Sequence, residues 1–404
     1  MSVYEGYCRS YQAVFRVATK FLDWSEPILL KGAGSVKKLA QVIKQNGHDS
    51  VLIVTDKGLM GLHLLDGLFG ELDKCGVRYT VYDGVQPNPT IPNIEEAKKL
   101  YETNGCKAII AFGGGSPMDC AKAAGARVTR PNKTVQKMRG TFGVMKKLPT
   151  LYAVPTTAGT GSESTITAVV SDPETHEKYG LHDPALRPRY AVLDAELTVG
   201  LPPHITSTTG MDALTHAVEA YIGQSNTEKT ASEALKATRM IFDNLETAYR
   251  DGKNLEAREN MLEASYHAGI AFRQAYVGYV HAIAHNFGGM YGTPHGLANA
   301  VIMPYVLDWY GESAHKRLAE LADAAGIVTT EKSDAEKAAL LIRKIREMNR
   351  DMNIPEHLDA LKEKDIETIA ERALFEANPL YPVPKIMNKA HCIQLIRKIG
   401  GLHL

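Results

Sequence analysis

The sequence contains few cysteines, and no two of them stand at close spacing. Five cysteines are scattered over 404 residues, and none belongs to a Cys-x-x-Cys motif. A disulfide framework needs an even, paired set, and a thiolate metal site needs clustered cysteines, so neither organises this chain. This usage is typical of a reducing compartment, and we predict a cytoplasmic protein.

The chain also lacks an excess of charge of either sign and any long apolar run. Its 46 basic residues balance its 46 acidic residues. Without a basic stripe there is no electrostatic footprint for nucleic acid, and no block of like charge indicates a disordered tail. No apolar run approaches the roughly 18 residues of a membrane span, and no signal-peptide pattern opens the sequence. We therefore expect neither a nucleic-acid partner nor a membrane partner.

The pattern of apolar residues changes at Pro202-Pro203. Between residues 25 and 202, short apolar runs alternate with helical segments, and this rhythm predicts a largely parallel, Rossmann-like sheet with helices on its faces. From residue 203 to 404 the β-branched runs stop and one helical pattern follows another. We predict an α/β domain followed by an all-α domain. The predicted strands are 51–56, 79–82, 108–112, 151–154 and 190–194.

Residues 1–24 precede the α/β pattern and are predicted to be an extension. Their apolar residues recur at helical spacing, which predicts an amphipathic helix. Such a helix packs on its own protein or on a neighbouring subunit, and a docking peptide for a larger assembly is the alternative. The stripe consists of Tyr11, Val14, Phe15, Ala18 and Phe21 or Leu22.

Five residues between 210 and 296 form the strongest chemical signal. Asp212 and His216 are four residues apart, as are His281 and His285, so each pair shares one face of a predicted helix. His295 follows a glycine-rich turn that can bring it to the same place. A carboxylate and three imidazoles suit a divalent metal such as iron(II), zinc, cobalt or nickel. The sequence does not decide which histidine is left out, and ordinary buried histidines with a helix-capping aspartate are the alternative.

Two loops that follow predicted strands are suited to a dinucleotide. Gly113-Gly114-Gly115-Ser116 lies between a strand and a helix, where backbone N–H groups and the helix dipole favour a pyrophosphate. Residues 155–163 add three hydroxyl groups, from Thr156, Thr157 and Thr160. The glycine run is not the G-x-G-x-x-G fingerprint, and if it is taken alone a plain structural turn is the alternative.

Asp56 ends the first predicted strand, at the edge of the sheet where a nucleotide would bind. A carboxylate there can accept both hydroxyl groups of an adenosine ribose and repel a 2′-phosphate, so we predict NAD and not NADP. The alternative for Asp56 is an ordinary turn residue. A nucleotide-binding half joined to a metal-binding half indicates hydride transfer, in which the metal lowers the pKa of an alcohol or polarises an aldehyde.

At this point the motifs resemble those of the iron-containing (group III) alcohol dehydrogenases, in particular the 1,3-propanediol and short-chain alcohol members. The resemblance covers roughly residues 25 to 400, and the four motifs stand in the family's order and spacing. They are Gly113–Asp119, Pro155–Glu163, Gly210–His216, and His281-x3-His285 with Pro294-His295-Gly296.

The resemblance implies a role for each matched position. Asp212, His216, His281 and His295 would bind Fe²⁺, with Zn²⁺ or another divalent metal as alternatives. His285 would be the catalytic non-ligand near the nicotinamide and the proton path. The implied cofactor contacts are Asp56, Asn88, Gly114, Gly115, Ser116, Asp119, Thr156, Thr157, Thr160, Thr165, Lys178 and Leu197.

The resemblance also implies an active site between the two domains, a homo-oligomer, and an NAD-linked dehydrogenase of short-chain primary alcohols or diols, acting also as an aldehyde reductase. A glycerol-type polyol dehydrogenase with zinc is the alternative on the same fold. A lyase like dehydroquinate synthase needs a cluster of basic residues for its anionic substrate. Residues 262–300 contain only Arg273 as a permanent cation, which argues against the lyase.

Overall fold

The computed structural model describes residues 2–20, 22–175, 177–327 and 332–402. Phe21, a member of the predicted N-terminal stripe, lies outside these ranges. Two compact units are present. One contains residues 23–201 and 253–266, and the other contains residues 1–22, 202–252 and 267–404. The domain ranges predicted from the sequence, 1–24, 25–202 and 203–404, stay predictions.

A six-stranded sheet with all neighbouring strands parallel forms the centre of the first unit. Its order is β1-β9-β6-β4-β2-β3, and a smaller sheet has the order β5-β8-β7. The strands are β1 (Ile28–Lys31), β2 (Ser50–Val54), β3 (Arg78–Tyr82), β4 (Ala108–Gly113), β5 (Gly140–Thr141), β6 (Thr150–Pro155), β7 (Thr167–Asp172), β8 (Glu177–His182) and β9 (Tyr190–Leu193). The predicted Rossmann-like class is confirmed.

The strand order reverses beside β2. The chain passes from β2 to β3 on one side and then returns to form β4 on the other side, so Val51 pairs with both Tyr79 and Ala108. Open α/β sheets bind ligands at such a switch point, outside the carboxyl ends of the strands. Asp56 follows β2 and the glycine run follows β4, so both candidate cofactor segments lie at that edge.

Helices cover both faces of the sheet and bury β2 and β4 completely. One apolar cluster joins α2 and α4 to the sheet, and a second joins α5 and α6 to the other face. After the first predicted strand, the sequence predicts one helix from Leu62 to Cys75, and this extent is wrong. The structure has two helices after β2, α3 and α4, because the backbone at His63 is left-handed, with φ of 59°. The helices are α2 (Ser35–Gln45), α3 (Lys57–Gly61), α4 (Asp66–Lys74), α5 (Ile91–Thr103) and α6 (Gly115–Thr129).

The second unit is helical within the described residues. Its central helix, α7, is buried from Gly210 to Ile222. Pro203 stands in its first turn, where proline is tolerated because that N–H has no helical partner. None of the described helices has the length and apolarity needed to cross a membrane. The remaining helices are α1 (Val3–Thr19), α8 (Glu228–Arg250), α9 (Leu255–Ala275), α10 (Tyr279–Tyr291), α11 (His295–Tyr310), α12 (His315–Ala324), α13 (Asp334–Asp351), α14 (Ile366–Ala377) and α15 (Lys389–Ile399). Residues 255–266 of α9 belong to the first unit.

Candidate functional site

Helices α7 and α10 bring a carboxylate and two imidazoles together. Asp212 and His216 lie one turn apart on α7, and His281 lies in the first turn of α10. All three side chains are buried, and one candidate ligand atom from each lies within 4.8 Å of the others. The rings of His216 and His281 stack with their centroids 4.5 Å apart. This spacing leaves the three donors around one point, as a single ion requires.

His295 reaches the same point because two glycines allow close helix packing. A Cβ atom on Gly296 would lie 2.3 Å from the carbonyl oxygen of Thr208 on α7, so only glycine fits beside His295. The Nε2 atom of His295 lies 3.6 Å from Oδ1 of Asp212. Gly210 has the same function on the other side of α7, where a Cβ atom would lie 2.3 Å from Leu245.

His285 lies beside this group with a partner of its own. Its ring stacks on that of His295 with centroids 5.2 Å apart. Its Nδ1 atom is 2.7 Å from Oε1 of Glu376, and about a quarter of the His285 side chain is exposed. The structure therefore places all five residues of the sequence-predicted set in one cluster, with His285 at its more accessible side.

Glu219 on α7 orients His281. Its Oε2 atom lies 2.7 Å from Nδ1 of His281, and the carboxylate also accepts the backbone N–H groups of Gly278 and Val280. Gly278 is the N-cap of α10 and has no side chain to cap that helix, so Glu219 caps α10 from a distance. Burial raises the pKa of Glu219 to about 7. This contact places the proton of His281 on Nδ1 and leaves its Nε2 lone pair available.

The Nε2 atom of His281 is the observation that fits a metal. It is buried and has no hydrogen-bond partner among the described residues. Burial lowers the pKa of His281 to about 4, so the imidazole is neutral at pH 7. A buried polar atom without a partner costs free energy, and a cation between Nε2 and Asp212 would remove that cost. The donor set of nitrogen atoms with one carboxylate suits a divalent first-row ion.

Three residues of this cluster were missed in the sequence. Glu219 stands seven residues after Asp212, on the same face of α7, and that spacing could have indicated it. Asn299 follows His295 by one turn, and its Nδ2 atom donates to Oδ1 of Asp212 at 2.6 Å. Glu376 gave no signal, because its proximity to His285 arises from packing between α14 and α10.

The glycine run after β4 makes close contact with the loop after β6. Gly113 has a φ of 145°, a left-handed conformation that favours glycine. A Cβ atom on Gly115 would lie 2.9 Å from Thr160, and one on Gly114 would lie 3.3 Å from Thr157. The hydroxyl-bearing loop therefore lies against the N-terminus of α6, and the backbone of Thr156 is bonded to Gly113.

Other sequence-predicted cofactor residues join this edge through hydrogen bonds. The backbone N–H of Asn88 donates to Oγ of Ser116 at 3.2 Å, and Lys178 donates to Oδ1 of Asn88 at 2.8 Å. Asp119 accepts the hydroxyl of Ser162 at 3.0 Å. These contacts join the first turns of α6 to the loop after β3, which is joined to β8, and to the loop after β6.

Two predicted cofactor residues have local structural functions that the sequence did not show. Asp56 is the N-cap of α3 and accepts the N–H of Leu59 at 3.0 Å. Leu197 belongs to the apolar cluster around Phe112 and Val192. Neither observation tests a contact with cofactor, and both assignments stay predictions.

Lys122 is a further residue that the sequence reading missed. It is buried on α6, and its ammonium lies 2.7 to 2.9 Å from four oxygen atoms of Ser162, Thr165 and Thr167, among which its three N–H groups are shared. One acceptor is Oγ1 of Thr165, another predicted cofactor residue. Burial lowers the pKa of Lys122 to about 8, so the side chain stays charged at pH 7. Lys122 therefore fixes the second loop to the helix that begins at the glycine run.

We expect Lys122→Met to destabilise the α/β unit by roughly 3–5 kcal/mol, because it leaves buried acceptors and Asp119 without their cation. It should also raise KM for the dinucleotide more than it lowers kcat. Thermal unfolding and steady-state kinetics measure both effects. Lys74→Met is the matched control, because Lys74 pairs with Glu71 at the surface, and its melting temperature should stay that of the wild type. An unchanged melting temperature for Lys122→Met would contradict this assignment.

Two family models match the chain. "Iron-containing alcohol dehydrogenase" matches residues 27–195, and "Fe-containing alcohol dehydrogenase family, C-terminal" matches residues 206–400. The chain therefore belongs to the iron-containing alcohol dehydrogenase family, as its motifs predicted. It is an oxidoreductase of alcohols and aldehydes.

Individual relatives resemble the chain over nearly its whole length. It is 37% identical over 371 residues to 1,3-propanediol dehydrogenase of Citrobacter freundii, covering 91% of this chain and 95% of that protein. It is 34% identical over 373 residues to NAD-dependent methanol dehydrogenase of Bacillus methanolicus, covering 92% and 97%. The crystal structure of 1,3-propanediol oxidoreductase has a TM-score of 0.90 and 36% identity, covering 94% of this chain and all of that one.

Proposed function

We propose that this chain is an NAD-dependent and metal-dependent dehydrogenase of short-chain primary alcohols or diols, which also reduces the corresponding aldehydes. The observation that carries the proposal is the buried Nε2 atom of His281, which lacks a hydrogen-bond partner in the described chain and is aimed at the candidate ligands Asp212 and His216. The relatives named for 1,3-propanediol and for NAD-linked methanol oxidation support the substrate class and the cofactor.

The four side chains that would hold the ion are those of Asp212, His216, His281 and His295. We assign Fe²⁺ to this site because the chain belongs to the iron-containing family, and Zn²⁺ is the alternative ion. When bound, the metal supplies Lewis acidity that lowers the pKa of an alcohol hydroxyl, and NAD supplies the hydride acceptor. Glu219 keeps His281 in the tautomer that ligation needs. Asn299 holds one oxygen of Asp212, which fixes the carboxylate plane.

His285 is assigned to proton transfer and not to ligation. Its Nδ1 atom lies 2.7 Å from Glu376, so the carboxylate accepts the Nδ1 proton and holds the ring in one orientation, within reach of a proton relay. Partial exposure of His285 and Glu376 lets that proton exchange with solvent. We expect the His285→Asn variant to keep the metal content of the wild type. Its kcat should fall, and the pH profile of kcat should change.

The dinucleotide is proposed to lie at the carboxyl edge of β2, β4 and β6, with its pyrophosphate at the N-terminus of α6. Asp56 would accept the ribose hydroxyls through the carboxylate oxygen that does not cap α3. The polar side chains that would complete the site at this edge are Asn88, Ser116, Asp119 and Lys178. The remaining proposed contacts are Gly114, Gly115, Thr156, Thr157, Thr160, Thr165 and Leu197.

Asp56→Asn should raise the NADPH/NADH ratio of kcat/KM by about tenfold or more, because it removes the charge that repels a 2′-phosphate. Asparagine is as good an N-cap as aspartate, so α3 stays capped and stability stays the same. Asp56→Ala is the matched variant, and it should add a loss of about 1 kcal/mol from the missing cap. Unchanged cofactor selectivity in both variants would remove Asp56 from ribose recognition.

A metal analysis combined with a panel of alcohols and aldehydes, each measured with NADH and NADPH or their oxidised forms, tests the proposed function directly. We expect one divalent ion per chain, loss of turnover after chelation, and recovery on adding Fe²⁺. Short primary alcohols or diols should give the highest kcat/KM. Full turnover in metal-free protein would contradict the proposal, and a preference for glycerol with bound zinc would favour the polyol alternative.

We also propose three properties that rest on the sequence and on the family. The protein acts in the cytoplasm, and it forms a homo-oligomer. Its functional domains are an N-terminal extension at 1–24, a dinucleotide-binding domain at 25–202, and a metal-binding helical domain at 203–404. Fluorescence localisation tests the compartment, and light scattering tests the oligomeric state. Limited proteolysis at the 202–203 boundary tests the domain division.

A further inference from the structure

Helix α1 is fastened to one short segment of its own unit. The amide of Gln12 donates to two backbone carbonyl oxygens at 3.0 and 2.8 Å, and the guanidinium of Arg9 donates to two more at 2.8 and 3.0 Å. All four acceptors belong to residues 379–384, called the 379–384 segment below. The sequence left open whether α1 packs on its own protein or on a neighbour, and these bonds join it to its own protein.

The 379–384 segment cannot hold its conformation through regular secondary structure. Three of its six residues are prolines, which have no N–H group to donate, and the structure places none of the six in a helix or strand. Its carbonyl oxygens must therefore find most of their donors elsewhere. Helix α1 supplies donors for four of them, and the backbone N–H of Gln224 donates to the carbonyl of Pro382 at 2.6 Å. The conformation of the segment therefore depends on α1.

The 379–384 segment carries a tyrosine that reaches the partner of His285. Tyr381 is buried, and its hydroxyl donates to Oε1 of Glu376 at 3.0 Å. The same oxygen atom lies 2.7 Å from Nδ1 of His285. Two contacts on one oxygen atom fix where that oxygen lies relative to the imidazole ring. Gln12 donates to the backbone carbonyl of Tyr381, so α1 holds the backbone from which this hydroxyl extends.

Helix α1 makes a second contact at the connection between α9 and α10. The ring of Phe15 packs on that of Tyr276, with centroids 6.0 Å apart. The backbone of Tyr276 is left-handed, with φ of 66°, a conformation that a bulky residue keeps only where its surroundings enforce it. Two residues later, Gly278 is the N-cap of α10, the helix that carries His285. Helix α1 therefore contacts the approach to α10 and, through Tyr381, the partner of His285.

We propose that α1 is a support for proton transfer, in which Gln12 and Tyr381 are positioning residues for His285. Helix α1 holds the 379–384 segment, and the segment directs the hydroxyl of Tyr381. That hydroxyl keeps the carboxylate of Glu376 against the imidazole ring. The inference rests on the proposed role of His285. It adds a helix that lies outside the matched family model, which begins at residue 27.

Tyr381→Phe and Gln12→Met test the two ends of this support in the full-length protein. Each variant removes hydrogen-bond donors and nearly keeps the size of the side chain. The single-turnover rate of NADH formation should fall by about twofold to tenfold, the effect of one neutral hydrogen bond. The alcohol concentration that gives half of that rate and the metal content should stay those of the wild type, because the ligand set is unchanged.

Two substitutions on the exposed side of α1 are the matched controls. Tyr7→Phe removes a tyrosine hydroxyl from a side chain that is more than half exposed, and Ser10→Met places a methionine at an exposed position. Both should keep the wild-type rate. Melting temperatures, measured for every variant, show that each assay is run on folded protein. Wild-type rates in both Tyr381→Phe and Gln12→Met would overturn the inference.

A double variant separates a positioning role from a structural one. His285→Asn removes the group through which Tyr381 acts, so adding Tyr381→Phe to it should lower the rate no further. An equal loss from Tyr381→Phe with and without His285 would show a structural role and overturn the inference. If His285→Asn keeps the wild-type rate, the proposed proton transfer fails and this inference fails with it. If His285→Asn is slow while Tyr381→Phe and Gln12→Met are not, this inference alone fails.

Discussion

Asp212→Ala is expected to lower kcat/KM for alcohol oxidation by about 1,000-fold or more and to leave the purified protein with little bound metal. The variant removes the one carboxylate from a group whose other members are imidazoles. Lewis-acid stabilisation of a developing alkoxide contributes several kcal/mol, and each 1.36 kcal/mol is a factor of ten in rate. Elemental analysis and steady-state kinetics measure the two losses on the same sample.

The control for this prediction lies in the same cluster. His285→Ala removes an imidazole that stacks on His295 but is held by Glu376, so the metal content should stay near one per chain while the rate falls. His216→Ala should behave like Asp212→Ala. Dinucleotide binding, measured by the fluorescence of NADH, should be retained in all three variants, because the predicted cofactor residues lie on the α/β unit. Normal metal content in Asp212→Ala would remove Asp212 from the ligand set.

The helical pairs were predictable because one residue spacing decides them. Predicting that Asp212 and His216 share one helix face requires only that four residues make about one turn. The sequence could also place His281 one turn before His285. It could not show that His281 points inward and His285 toward Glu376, because that depends on Glu219 and α14, which are distant in the chain.

The strands show the same division between local and distant information. β2, β4 and β6 are buried apolar runs, and the sequence located them to within two residues. β7 and β8 were missed, because they alternate buried and partly exposed positions and include polar residues such as Lys178. Their pairing with each other defines them, and it is this pairing that brings Lys178 to Asn88. Cofactor assignments on β8 therefore depended on the family resemblance and not on periodicity.

Glu219→Ala is expected to have the largest effect of any substitution outside the ligand set. The side chain is buried and accepts bonds from His281, Gly278 and Val280. Alanine would leave the N-terminus of α10 without its cap and Nδ1 of His281 without its acceptor. Removal of a buried partner of this kind costs about 3–5 kcal/mol, and loss of an orienting contact lowers metal affinity by about 10- to 100-fold.

Competition with a chelator measures the metal affinity, and calorimetry of the metal-free protein measures the melting temperature separately. Both should fall in Glu219→Ala, and the melting temperature should fall by roughly 6–20 °C, since each kcal/mol corresponds to about 2–4 °C. Glu219→Gln should lie between alanine and wild type, because its amide oxygen still accepts one of the N–H groups.

Glu376→Gln is the matched control for Glu219, because Glu376 lies at the same distance, 2.7 Å, from Nδ1 of a neighbouring histidine. Glu376 is about a third exposed and caps no helix, so its substitution should change the pH profile of kcat and leave metal affinity and melting temperature unaltered. A Glu219→Ala protein that kept wild-type metal affinity would show that His281 needs no orienting partner. One that kept its melting temperature would show that α10 is capped in another way. Only the combined loss, confined to Glu219 and absent from Glu376, is consistent with a carboxylate that fixes both the helix and its ligand.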